Sequence, residues 1–578
     1  MVAEFHSSLQ LLHTFVSYTL QLHRSITTTI TAFGHMFSTS LSNKQWDSTW
    51  DGLPREIRRL IFEALVQDGC RLSRFATVSR EWQTELERYN FARIKLTPSR
   101  LVDFDSITHR NQAFISYIWF CLELDKYDCT KCAPASSISD YEEALTISDT
   151  DHCPITTSFQ NLFSVLSRWG PSAGLILDIS IYSPSDSTHW FKYLTFMPDT
   201  PLDPLDGRHG IDQIVSSKPV YNDPQHGWVD GFRHCAPPRS AVAKVFHSVM
   251  EEGPFESDQA ELQWWDRLPS VPAVTTLLLR QQNRRRWKPE ALAHMFAQFP
   301  RLQEVHYEPW REWGFMKLET DKQYQYLFKS IQHFNKNLKR LVVFENFNQQ
   351  YPAIMQRFQF GVDIAECESI RNPTPAVSRM VVLASLKLEH LAASFIIDAS
   401  HFFDNIEPSW EWPNLTSLML TSNLLSLDKS PIKIRAMLQA AAAIATKMPQ
   451  LERMEIWNGQ KGLAVLFKYQ VFRNIRQARI TWRGTWNLAM ESSIVQAWEV
   501  LVHQRDGWRL NLIQDLLDGA TIKSHGDAIR QTYAFRPGHS AYLVAADPDR
   551  TERPRGRRNS VRMIYLLIDR DLQCHCII

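Results

Sequence analysis

The sequence predicts an α/β fold, an irregular solenoid of repeated strand and helix units preceded by a small helical segment. Three observations carry that expectation. A short pattern, apolar-x-x-apolar-x-apolar, recurs through the later part of the chain, stretches with helical periodicity fill the intervals, and two amphipathic stripes lie close together between residues 53 and 86. With 578 residues, 44% of them apolar and 22% charged, the chain can bury a sizeable core.

Residues 1–48 are rich in Ser, Thr and His and are expected to be a weakly structured extension. The histidines of LQLLHTFVSYTLQLH interrupt the apolar run a signal peptide needs, and Arg24 and Lys44 are too few for a transit peptide. Structure is expected to begin at LPREIRRLIF, residues 53–62. Pro54 stands where a first helical turn tolerates proline, and Glu56 puts negative charge at the positive end of the helix dipole. Leu53, Ile57, Ile61 and Leu65 recur every four residues, with Arg55, Arg58, Arg59 and Glu63 on the polar side. Gly69 marks a stop, and Leu72, Phe75, Ser79, Trp82 and Leu86 describe a second stripe. Two such short helices cannot cover both stripes with each other, so a further segment or a partner must complete them.

The run Leu-Pro, Glu-Ile, Ile-Phe, then L-x-x-F-A-x-V-S-R-x-W resembles the F-box, with a loop slightly longer than usual after the first helix. The continuation RYNFARIKLTPSRL is similar to ascomycete F-box proteins. The resemblance covers residues 49–90 and implies docking on the Skp-type adaptor of a cullin-based (SCF-type) ubiquitin ligase. The docking set it implies is Leu53, Pro54, Ile57, Ile61, Leu65, Leu72, Val78 and Trp82.

Residues 91–578 hold the repeats. VTTLLL, LQEVHY, LKRLVV, LTSLML, LERMEI and IRQARI start at 274, 302, 338, 415, 451 and 475, with LEHLAA at 388 a weaker copy. Several are introduced by one phrase, in the forms FPRL, NKNL, WPNL and MPQL, and helical stretches such as PEALAHMFAQF and IKIRAMLQAAAAIATKM lie between them. Strand-helix units that bury their apolar faces by stacking on their neighbours are the physics of a leucine-rich-repeat-like solenoid; a globular α/β domain with parallel strands is the alternative. ISYIWF at 115 and LILDISIY at 175 are expected to join the same sheet, whereas the Pro/Trp/His-rich region 183–265 reads as an insertion. RTERPRGRRNS and VRMIYLLIDRDL near the end suggest a basic loop and a last strand. The x positions of the strands should face outward, which makes His306, Arg340, Glu455, Arg476 and Arg479, with Trp457 just beyond one of the strands, the residues expected to meet a target protein.

Composition excludes more than it assigns. The formal charge is +1, from 63 basic and 62 acidic side chains, so no global field favours nucleic acid or an anionic membrane. Nine irregularly spaced cysteines suit reduced thiols in a cytoplasmic or nuclear protein. No apolar run approaches the roughly 20 residues a membrane span needs. Glycine is scarce, 20 residues where about 40 would be average, and no GxGxxG, P-loop, HExxH or GxSxG motif occurs. Cys129-x-x-Cys132 with His152 and Cys153 is the nearest approach to a metal set, but only one knuckle is well formed, and reduced loop cysteines are expected. Arg280 and Arg284 to Arg286, beside Trp287, read as a solvated basic loop. The sequence therefore predicts a non-catalytic receptor with no cofactor, no metal and no nucleic acid, whose partners are the adaptor and cullin core and an unknown target. The alternatives are an interaction scaffold without ubiquitin transfer, or an enzyme with an unrecognised site in 183–265.

Overall fold

The computed structural model describes residues 50–533 apart from 51–53, 68–71, 133–153, 172–173, 193, 200–221, 236, 247, 251–254, 256, 312–316, 349–369, 489–491 and 505–506. Residues 1–48, His152, Cys153 and the expected basic loop and last strand lie outside them. The chain divides into two compact units, Met1–Leu86 and Glu87–Ile578.

In the first unit, helix α1 (Arg55–Gln67) starts with the amide of Arg58 donating to the carbonyl of Pro54. A 3-10 segment, Leu72–Thr77, leads to α2 (Arg80–Ala92). The two helices share a small aromatic core in which the Trp82 ring packs on Trp50 at 4.8 Å and edge-on against Phe62 at 5.0 Å, with Leu65 and Leu86 buried beside them. Glu81 fastens the rim, accepting from Arg58 and from the Trp50 indole at 2.8 and 2.9 Å.

The second unit is mixed α/β around one large, mostly parallel sheet of twelve described strands. They are β1 (Arg93–Leu96), β2 (Tyr117–Glu123), β3 (Leu175–Tyr182), β4 (Val274–Leu279), β5 (Glu304–Tyr307), β6 (Arg340–Phe344), β7 (His390–Ser394), β8 (Ser417–Thr421), β9 (Arg453–Gln460), β10 (Leu463–Phe472), β11 (Gln477–Gly484) and β12 (Arg509–Leu516). Every strand pairs with its neighbours in chain order. All pairs are parallel except β9 with β10 and β10 with β11. The connections include α3 (Pro154–Leu166), α4 (Pro289–Ala297), α5 (Lys317–Phe334), α6 (Pro375–Ser385), α7 (Pro431–Ala445) and α8 (Ser492–His503). A last helix, α9 (His525–Tyr533), follows β12.

Sequential order has a visible cause in the entry phrase. In FPRL, NKNL and MPQL the leucine amide donates back to the first residue of the phrase at 3.0 Å, and Leu302, Leu338 and Leu451 are buried. The next residue then donates to its counterpart in the preceding unit: Gln303 to Thr275, Lys339 to Gln303, Glu389 to Lys339, Thr416 to Glu389 and Glu452 to Thr416, each at 2.8 Å. This ladder of backbone bonds runs across the turns and spaces the units without an asparagine ladder. One face of the sheet is a continuous apolar row, Leu277, Val305, Leu341, Leu391, Leu418 and Met454 in register, which packs in one core with Phe296, Phe328, Val381 and Leu438 from α4 to α7.

The segment IRQARI departs from the repeat. Its first residues form a turn, with Arg476 at φ 49°, and the strand they precede is half of an antiparallel pair. The arginines expected to form a solvated loop are also placed differently. Arg284 and Arg285 are buried, Arg285 pairs with Asp186 at 3.3 Å, and Arg280 pairs with Asp178 at 2.7 Å, where the Tyr117 hydroxyl also donates. Among the described residues no helix is long and apolar enough to cross a membrane.

Candidate functional site

The open face of the sheet is written in its burial pattern. Parallel sheets are ordinarily covered on both sides and read as continuous apolar runs. Strands β5, β7 and β8 begin instead with a strict alternation, and β11 alternates along its whole length, so one side of each is packed and the other is partly accessible. On that side the register aligns Glu304, Arg340, His390, Ser417, Arg453, Gln470 and Arg479 in a row across β5 to β11.

The charges in the row are partly self-compensating. Glu304 pairs with Arg340 at 3.3 Å and with His306 at 2.6 Å. Burial, with the Arg340 charge beside it, lowers the His390 pKa to about 4, so its imidazole is neutral near pH 7. Arg453 and Arg479 stand on either side of Gln470, and the Arg479 guanidinium lies 4.7 Å from the centre of the Phe472 ring. The two arginines are roughly 10 Å apart by two strand spacings, which suits a pair of carboxylates on an extended segment.

Of the residues expected to meet a target, His306, Arg340 and Arg479 lie on this side of the sheet and are partly accessible. Glu455 and Trp457 share the side but are only 1% and 2% exposed. Glu455 is paired with Lys468 at 3.3 Å. Trp457 sits in a cluster with Phe344, Phe347, Phe395, Leu466 and Ile529, the last from α9, and its indole donates to Ser394 at 3.3 Å. Strand alternation gives the side of the sheet but is blind to a helix that arrives from far along the chain to cover it. Arg476 is exposed, in the turn before β11, and is no part of the row. Arg453, which the alternation of LERMEI does place outward, replaces it there.

Among the described residues of the helical unit the most exposed apolar side chains are Ile57, Leu60 and Val78, at 38%, 57% and 58%. Pro54 and Ile61 are intermediate. Leu65 and Trp82 are instead buried in the aromatic core, since Trp82 is the ring on which Trp50 and Phe62 converge. Leu53 and the side chain of Leu72 lie outside the described residues.

A third cluster was only half legible. Cys129 and Cys132 sit on one helical turn after β2, and the ligand atoms of His189 and His226, from the segment between β3 and β4, complete a set within 4.8 Å of one another. Burial pushes the Cys132 thiol up to about 11. The two histidines are not spaced for recognition in the sequence, and tertiary structure alone brings them to the cysteines.

The second unit is thus a mixed α/β body whose parallel sheet presents one polar, arginine-bearing side. A family model described as a family of unknown function (DUF6546) matches residues 333–533, from the end of α5 to the last residue of α9. That stretch carries β6 to β12 and most of the polar row. No curated protein matches the chain.

Proposed function

We propose that this chain is the substrate-recognition subunit of a cullin-based ubiquitin ligase. Its N-terminal helices dock on the Skp-type adaptor, and a leucine-rich-repeat-like sheet holds a protein target on its polar row. The observation that carries the reading is the F-box-like run between Leu53 and Trp82, in which Ile57 and Val78 remain accessible. Accessible β-branched side chains beside a finished aromatic core leave apolar surface for a second polypeptide, and each such side chain contributes about 1.5–3 kcal/mol when fully covered. No side chain of this chain takes part in bond making; holding a target lysine near a charged conjugating enzyme raises its effective concentration. Arg453 and Arg479 favour an acidic stretch of target.

Proximity labelling followed by mass spectrometry, with proteasome activity blocked, tests both halves. An Ile57→Asp/Val78→Asp chain should lose adaptor and cullin while keeping the target. An Arg453→Glu/Arg479→Glu chain should do the reverse, with target recovery lowered at least roughly tenfold for the loss of two charge-assisted contacts. Identical sets from both variants and the unaltered chain would overturn the proposal.

A further inference from the structure

We propose that Cys129, Cys132, His189 and His226 bind one zinc ion as a closed, tetrahedral structural site. Cys129 Sγ lies 3.5 Å from His189 Nδ1, and Cys132 Sγ lies 3.7 Å from His226 Nε2. A tetrahedral zinc with sulfur at about 2.3 Å and nitrogen at about 2.0–2.1 Å sets neighbouring S and N atoms roughly 3.6 Å apart. These two sulfur–nitrogen distances already match what the ion imposes, and with all four donor atoms within 4.8 Å of one another small inward movements suffice to close the shell.

The outer partners point the same way. His226 Nδ1 lies 2.8 Å from the carboxylate of Asp223, which Lys192 holds at 2.6 Å. His189 Nε2 lies 3.3 Å from the carbonyl of Tyr127, and the Tyr127 ring stacks on the imidazole at 5.6 Å. Each histidine thus directs one nitrogen to an acceptor that fixes its tautomer and the other to a cysteine. That is the arrangement of a carboxylate- or carbonyl-oriented zinc ligand. Gly227, at φ +72°, turns the chain sharply after His226, and a Cβ there would stand 3.0 Å from the Cys235 carbonyl and 3.2 Å from the Trp190 ring. Two thiolates and two neutral imidazoles fill four positions with none left for water, so the ion has a structural role and no catalytic one. On binding, the two thiols release their protons to solvent, and the cation ties the turn after β2 to the segment between β3 and β4.

Elemental analysis of the full-length chain, purified without chelator, should find about one zinc per chain. Cys132→Ser and His226→Ala should lose it, and Asp223→Asn, which keeps all four ligands, should weaken affinity about 10–100-fold. Where a ligand variant fails to fold, the unaltered chain, stripped by chelator and titrated with cobalt(II), gives the answer. Intense tetrahedral d–d bands with thiolate charge transfer, saturating at one equivalent, are expected. A weak six-coordinate spectrum, zinc content unchanged in the variants, or a Cys129–Cys132 disulfide in protein purified without oxygen would overturn the proposal.

Discussion

At the scale of single residues the second unit holds charges that cannot reach water. Arg371 is buried between Asp321, with which it is paired, and Glu345 at 2.6 Å. Two carboxylates desolvated around one guanidinium are tolerable only while the pairing is complete. Arg371→Leu should therefore destabilise the second unit by about 3–5 kcal/mol in urea unfolding, far more than the loss of an exposed pair such as Lys322–Glu319. A loss below about 1 kcal/mol would mean the carboxylates find protons or other donors. Buried arginines were the part of the sequence least open to reading. A run such as RQQNRRRW looks like solvated loop because composition records the charges and not the distant Asp178 and Asp186 that receive them. Outward positions were legible wherever alternation alone decided them, as at Glu304, His306 and Arg479.

At the scale of elements the informative case is α9, which covers the end of the polar side around Trp457. Its docking is close enough that a Cβ on Gly459 would meet the Ala528 Cβ at 2.6 Å, too near for any real pair. Gly459→Ala should push the helix away, lower stability by about 1–3 kcal/mol and expose Trp457 to a fluorescence quencher. The same helix carries His525 against the Phe347 ring at 4.5 Å, and burial lowers its pKa from 6.5 to about 4. The unfolded chain binds the proton more readily, so this contribution to stability is present above the unfolded pKa and is lost as pH falls towards the folded one. Between about pH 7 and pH 5 the loss should be on the order of 2 kcal/mol, and His525→Gln should flatten that part of the urea-midpoint profile. An unchanged slope would show that other groups carry it. The strands themselves were legible because apolar-x-x-apolar-x-apolar and its entry phrase repeat. The helix that closes over them was not, since its five-residue aromatic and aliphatic contact set is gathered from β6, β9 and β10 and the loops after β6 and β7.

At the scale of the whole molecule the chain carries two distinct surfaces: a short helical unit with accessible Ile57, Leu60 and Val78, and a twelve-strand α/β unit with a polar side. From β5 to β9 the residue entering each strand bonds to its counterpart in the unit before, which lets the polar row extend strand by strand without rearranging the core. On the proposed reading the first surface sets where the chain sits and the second sets what it holds, so damage to one should leave the other intact. The most direct measurement is co-elution of the purified full-length chain with a purified Skp-type adaptor, set beside the Ile57→Asp/Val78→Asp chain of matched secondary structure and urea midpoint. A stoichiometric complex is expected with the unaltered chain and none with the variant. An adaptor that binds neither chain, or both equally, would contradict the proposed docking.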